Sequence, residues 1–257
     1  MYNHNDPYAN RDPRFYATVY YNGSKRYCNW STAAQKTSFE NLGQGTGSMT
    51  RIITTWDAYQ KEDGSIENEA EPLMGRKVVG EKIRTNTRTG YYQRKFLHPN
   101  SGVEMRIQGA RHKDYRLAEI YLNFAEAAME ANHSAEAITY VNKVRTRVGM
   151  PGLPAGLTGD ALRQRIHNER RVELALEGNR YFDVRRWHKP DEDLSDTDRW
   201  VTAAHITHMN DGSYKYERTT IKERQCYTNK WLKMPIPLSE VNNKRAITGE
   251  DWQKPGW

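Results

Sequence analysis

Apolar and polar positions along this chain follow one rhythm after residue 110 and another before it. Over 114 to 131, "DYRLAEIYLNFAEAAMEA", Leu117, Ile120, Tyr121, Phe124, Ala127 and Ala128 recur at spacings of three and four, which places them on one helix face, and Asp114 stands where an N-cap is expected. "NHS" breaks the pattern. Ser134 is positioned to cap a second helix that carries Ile138, Val141, Val144 and Val148 on one side and stops at Gly149 and Pro151. A third helix is predicted from Thr158, with Asp160 in its first turn, to Glu177 before Gly178; Leu162, Ile166, Leu174 and Leu176 supply its apolar part. "NRYFDVRRW" then begins a short fourth helix or turn.

Two amphipathic helices joined by a short turn form an αα-hairpin, and neither stripe is buried by the pair alone. Further helices must pack on it, as in repeat arrays, although the tetratricopeptide pattern matches only loosely because the first helix is too long. Ahead of residue 110, "RFYATVYY" (14 to 21) and "GYYQRKFL" (90 to 97) are the strand candidates, while "NLGQGTGSMT" and "YQKEDGSIENEAEPLMG" read as loops. The glycines at 43, 45 and 47 follow no strand and open no helix, so they do not form a phosphate cradle. Near the other end, Asp211-Gly212 sits between alternating segments as a hairpin turn. "WLKMPIPLSEVNN" is held extended by prolines before a short turn at Ser239, and coil is expected after 245.

The predicted class is therefore mainly α, with helix pairs packed together, long irregular loops and a few short β-hairpins. The expected organisation is a loop-rich segment over 1–110 and a helical region over 111–257, with a helix hairpin at 114–148, helices over 158–189, and a β-hairpin with C-terminal coil over 200–257.

Composition sharpens this picture. Only 37% of the residues are hydrophobic, yet there are seven tryptophans and sixteen tyrosines. Much of the apolar area thus comes from amphipathic rings, which suit binding surfaces as well as cores. A net charge of +7 would admit a nucleic-acid partner, but the basic residues are interleaved with acids and form no basic arm, so none is expected. Cys28 and Cys226 lie far apart in sequence and read as free thiols. With no apolar run of eighteen residues and a polar start after Met1, the chain reads either as cytoplasmic or as a piece of a longer protein.

The densest candidate chemistry is "ERRVELALEGNRYFDVRRW", 169 to 187. Glu169, Glu173 and Glu177 share a helix face, drifting only about 40° per step. Neighbours at that spacing meet the separation of about 5–10 Å between the two carboxylates of a glycosidase. A general acid, however, needs an apolar pocket to keep its proton. Seven arginines between 163 and 186 crowd this segment instead. The reading is a structural clasp of Glu169, Arg170, Glu173, Glu177, Arg180 and Asp183, with a glycoside hydrolase using the carboxylates of 169–183 as rival and a purely structural helical adaptor as a third class.

His205 and His208 fall on opposite faces of a strand-like stretch with no third ligand, so neither a metal nor another cofactor is expected. Neither cysteine has a histidine near it in sequence, and no serine sits in a nucleophile elbow. Tyr20, Tyr21, Tyr27, Trp30, Trp56 and Tyr59 stand among Asn, Ser, Thr and Gly, a mixture of flat stacking faces and neutral hydrogen-bond partners. These are the candidate ligand-binding residues, suited to an uncharged polyhydroxylated ligand such as a sugar.

Several stretches taken in order resemble the C-terminal half of SusD/RagB-type proteins: "DPYANRDPRFYATVYYNGS", "GYYQRKF", "YRLAEIYLNFAEAAMEA" with "EAITYVNKVRTRVGMP", "LRQRIHNERRVELALEGNRYFDVRRW", and "MPIPLSEVNN" with the terminal "WQKPGW". The run from 115 to 187 is the most specific part. The resemblance implies tetratricopeptide-like helix pairs as scaffold and irregular loops as ligand face. It also implies non-catalytic binding of oligosaccharides or other nutrients by an outward-facing outer-membrane lipoprotein that caps a SusC-like TonB-dependent transporter. Such proteins run to about twice this length and begin with a signal peptide and a lipidated cysteine. The expectation is thus a C-terminal fragment that would meet the membrane only through a lipid anchor lying outside it.

Overall fold

The computed structural model describes residues 6–27, 50–53, 55–56, 58–68, 87, 89–97, 114–188, 200–223 and 232–254. Two compact units divide the chain: Met1–Arg180 with Ala203–Thr219, and Tyr181–Thr202 with Thr220–Trp257. The segment 14–21 is not one strand. Asp12 accepts from the amide of Arg14, Pro13 pre-sets the backbone, and α1 (Pro13–Thr18) results. Only β1 (Val19–Tyr20) stays extended.

Strand β2 (Lys25–Tyr27) pairs antiparallel with β3 (Thr50–Ile52). The stretch from 59 reads as loop in sequence, yet β4 (Ala58–Gln60) and β5 (Ile66–Asn68) form a hairpin closed by Lys61 N to Ser65 O at 2.8 Å, with Gly64 at φ 82° making the turn. In 90–97 only β6 (Tyr92–Gln93) is extended, and it pairs with β1.

The helical core is formed by α2 (Leu117–Glu130), α3 (Ser134–Arg147) and α4 (Gly159–Glu173), around Leu122, Ala125, Met129, Ile138, Val141, Val144, Leu162 and Ile166. Alanines 118, 125, 128 and 137 line the seam. Their small side chains let helix backbones approach closely. The buried face of α2 matches the predicted one only at Ala128, which is buried, and Tyr121, which packs against the core. Leu117, Ile120 and Phe124 are 62%, 49% and 40% exposed, whereas Ala118, Leu122, Ala125, Glu126 and Met129 turn inward. The helix carries two apolar stripes, and the inward one brings Glu126 opposite Arg170 Nε at 3.6 Å and His167 Nε2 at 3.9 Å, so the buried carboxylate meets cations.

Helix ends also depart from expectation. Arg116, not Asp114, holds the N-cap position of α2, and its side chain is committed elsewhere. Ser134 is the first residue of α3 rather than its cap, and Thr158 sits at the N-cap of α4 without a side-chain bond. The third helix ends at Glu173 instead of Glu177, because Leu176 (φ 66°) and Gly178 (φ 85°) take left-handed backbone. Then α5 (Asn179–Trp187) begins.

The C-terminal hairpin is present as β7 (Trp200–His208) and β8 (Tyr214–Glu223), in a four-stranded sheet of order β5-β4-β7-β8. Against β7 packs the turn at Gly90, whose φ is 78°. A Cβ there would lie 2.6 Å from the Ala204 carbonyl oxygen. In the second unit, α6 (Leu238–Thr248) replaces the expected short turn and coil, anchored by Val241 and ended by Gly249 in left-handed conformation. Gln253 supports the approach to α6, accepting from Ile236 N at 2.9 Å and donating to its carbonyl at 3.0 Å.

Candidate binding surface

Two groups of side chains in the first unit have the density expected of a functional site. The first is the carboxylate row. Glu169 accepts from Arg14 Nη1 at 2.5 Å and Arg145 Nη1 at 2.7 Å. Glu173, one turn on, accepts from Arg14 Nη1 at 2.9 Å, Arg116 Nη1 at 2.6 Å and Arg147 Nη2 at 2.8 Å. Glu177, past the helix end, receives the Arg116 fork through Nε at 2.6 Å and Nη2 at 2.7 Å, together with the Lys95 ammonium. Asp12 completes the set around Arg14, at 2.6 Å from Nη2.

These cations come from α1, the turn after β6, the start of α2 and the end of α3. Arg170, on the same helix, gives Nη1 to Asn123 Oδ1 at 2.5 Å and faces Glu126. Arg180 lies in the first turn of α5, and Asp183 is buried with Arg186 Nη2 at 2.9 Å.

Burial alone would push the Glu173 carboxyl up. The hydrogen bonds of Arg116 and Arg14 and the charge of Arg147 outweigh it and hold the group below the ordinary glutamate range. Glu177 is shifted down in the same way, burial being overcome by Arg116 and Lys95. Burial opposes the charge of Arg14 too, yet Asp12, Glu169 and Glu173 raise its pKa. A general acid at neutral pH requires the opposite shift, so the environment of Glu173 and Glu177 disfavours proton donation.

The second group is a continuous string of rings. Trp56 stacks on His208 with centroids 5.7 Å apart and 29° between planes, and His208 leans on Tyr214 at 5.1 Å. Tyr214 reaches Tyr216 at 6.3 Å, and Tyr216 meets Tyr8 edge-on at 5.3 Å. Tyr8 packs against Tyr21 at 4.4 Å and Phe15 at 6.2 Å, Tyr91 stands edge-on to Phe15 at 6.1 Å, and Tyr16 closes on Tyr21 at 6.0 Å.

Strand geometry explains the order. Alternation along β8 sends Tyr214 and Tyr216 to one face. The parallel register of β4 with β7 sets Tyr59 beside His208. Most of these rings are half-buried, each with part of its surface left accessible. Burial raises the phenols of Tyr216 and Tyr21 above their usual value, so both are neutral hydroxyls. The Asn22 amide bonds Tyr216 and accepts from Thr55 N at 3.0 Å, a neutral polar element beneath the rings.

Of the residues singled out in sequence, Tyr21 and Trp56 lie within the string and Tyr59 beside it, whereas Tyr20 is buried under Arg94. Tyr27 is the last residue of β2. Trp30, Cys28, Cys226 and the glycine-rich 43–47 lie outside the described residues. Sequence reading missed Tyr8, Phe15, Tyr16, Tyr91, His208, Tyr214 and Tyr216. The alternation in "SYKYE" was the available signal for the pair on β8. Among the described residues, no group of three or more His, Cys, Asp or Glu could hold a metal ion, and no helix is long and apolar enough to cross a membrane.

The SusD family model matches residues 1–257, the whole chain. The chain belongs to the SusD family. It is 29% identical over 146 residues to SusD-like protein P25 of Formosa agariphila, covering 56% of this chain and 24% of that protein. To SusD-like protein P2 of the same organism it is 36% identical over 104 residues, which is 37% of this chain and 20% of the relative. A solved SusD-like protein of Bacteroides fragilis superposes with a TM-score of 0.67 at 24% identity over 98% of this chain and 40% of the other. The matched regions thus span about a quarter of the curated relatives and two-fifths of the solved structure. The tetratricopeptide-like, mainly helical SusD fold is the architecture of this chain.

Proposed function

We propose that this SusD-family chain is a non-catalytic glycan-binding component that delivers oligosaccharides to a SusC-like TonB-dependent transporter, held at the outer face of the outer membrane by a lipid anchor. The observation that carries the reading is the ring string from Trp56 to Tyr16. It offers a row of partly exposed faces interleaved with neutral hydroxyls and an amide. Sugar rings present C–H faces that stack on such surfaces, and their hydroxyls exchange hydrogen bonds with neutral partners, each contact contributing about 1 kcal/mol. Modest affinity built from several such contacts suits a protein that must release its ligand to a transporter. The salt-bridged carboxylate row favours binding over hydrolysis.

Calorimetric titration of the protein against neutral and acidic hexasaccharides tests the proposal. Binding of at least one glycan, weakened in Trp56→Ala and Tyr214→Ala, is expected. Silence across the panel would sink it. Reducing-sugar release that disappears in Glu173→Gln would replace it with a hydrolase.

A further inference from the structure

We infer that Tyr216 is a one-way hydrogen-bond donor in the ring string, held so by Asn22 as its positioning residue, and that it selects a sugar bearing a neutral acceptor, the carbonyl of a 2-acetamido group; this rests on the glycan-binding reading above. The direction is fixed by one amide. Asn22 lies in the turn between β1 and β2 and is 5% exposed. Its Oδ1 accepts from the main-chain N–H of Thr55, itself buried, at 3.0 Å. A main-chain N–H can only donate, so the amide oxygen faces Thr55 and the Nδ2 hydrogens face the other way.

The second partner of the amide is the Tyr216 hydroxyl. Burial raises that phenol, and the Asn22 bond opposes the rise, as a donated N–H does and an accepted O–H does not. Because Nδ2 accepts nothing, the Tyr216 proton points away from Asn22 and is left for another acceptor. Among the described residues no protein group takes it. Tyr16 makes the contrast: its hydroxyl donates to the Tyr8 carbonyl at 2.7 Å and accepts from Arg11 N at 3.1 Å, so it is spent within the protein. Tyr216 is half-buried, with Tyr214 at 6.3 Å and Tyr8 edge-on at 5.3 Å.

A sugar hydroxyl both gives and takes, so a donor of fixed direction does not sort one hydroxyl from another. It favours a strong acceptor that has no hydrogen of its own, which on a glycan means an anionic group or an amide carbonyl. Asp6 lies close enough for its charge to push the Tyr216 phenol further up, and an anionic substituent would meet the same repulsion. An acetamido carbonyl is neutral, and its methyl group adds apolar contact with the rings.

The test is calorimetry of the full chain with chitohexaose and cellohexaose, which differ only in the 2-acetamido group, beside the acidic hexasaccharides named above. Chitohexaose should bind about tenfold more tightly than cellohexaose. Tyr216→Phe, which keeps the ring and removes the hydroxyl, should abolish that preference. Asn22→Asp, checked for fold by circular dichroism, should do the same, since it still accepts from Thr55 N but draws the Tyr216 proton inward. Cellohexaose affinity should hold in both variants, whereas a merely structural role would weaken both probes alike. Equal affinity for the two probes, equal loss of both in Tyr216→Phe, a preference that survives Tyr216→Phe or a folded Asn22→Asp, or binding of acidic hexasaccharides alone overturns the inference and leaves the glycan reading standing. Silence across the whole panel overturns both.

Discussion

The carboxylate row of α4 and the ring string of the sheet face are both rich in functional side chains, but their chemistry is spent differently. In the row, the carboxylates face inward and meet guanidiniums or an ammonium, so the ionic capacity goes into joining segments. In the string, most rings bury one side against their neighbours and keep the other partly accessible, Tyr8 being the buried exception, and the phenols of Tyr21 and Tyr216 stay neutral. Buried ions whose bonds are made hold a fold together. Half-buried rings with spare surface are what a ligand can use.

The sharpest way to break this comparison is to remove the centre of the row. Glu173→Ala leaves Arg14 buried with a partner missing and should cost about 3–5 kcal/mol, read by thermal or urea unfolding. A loss below 1 kcal/mol would mean the ions are merely solvated. The same carboxylates set an acid limit. Because the folded pKa values of Glu173 and Glu177 lie below the ordinary glutamate value of 4.5, their stabilisation is complete above that value and is lost as pH falls through the lower folded ones. Unfolding free energy measured from pH 6 downward should decline in that window, and less steeply in Glu177→Gln.

Next in size, Leu122→Ala should destabilise by about 2–5 kcal/mol while Ile120→Ala stays within about 0.5. Equal losses would contradict the face assigned to α2. Gly90→Ala combines a positive φ with a Cβ 2.6 Å from the Ala204 oxygen and should cost about 1–3 kcal/mol by the same unfolding assays. Smallest in free energy is the ring string itself. Trp56→Ala should weaken glycan binding about tenfold in calorimetry, close to 1.4 kcal/mol. Unchanged affinity would leave the rings with a purely structural role.

The helices of the bundle were legible because a period of three and four over fourteen residues admits one interpretation. Which face of α2 points inward was not, since Leu117, Ile120 and Phe124 form as good a stripe as Leu122, Ala125 and Met129. The choice rests on packing against α3 and α4, across which Glu126 meets Arg170, and no local pattern announces such partners. The glutamate face of 169–177 was readable from spacing, but its partners at 14, 95, 116, 145 and 147 were not, because pairing across long separations leaves no local trace. The strand predicted at 14–21 failed for the opposite reason, a short-range cap and proline overriding aromatic strand propensity. For the ring string, the aromatic content marked the material and one strand's alternation marked a face. The assembly needed the register of β4 on β7, which no single segment encodes.

One ion pair also constrains the order of folding. Arg14 and Glu169 are 155 residues apart, while the core of α2, α3 and α4 is closed by contacts between neighbours in sequence. Closing the longer loop carries the larger entropic penalty and is rewarded only once the bundle has formed. The segment carrying Arg14, earlier in the chain than the bundle, therefore docks last, its arginine remaining hydrated until the helix carrying Glu169 has been synthesised. Pulse-labelled hydrogen exchange, with the amides of α4 protected before those of α1, would read that order directly.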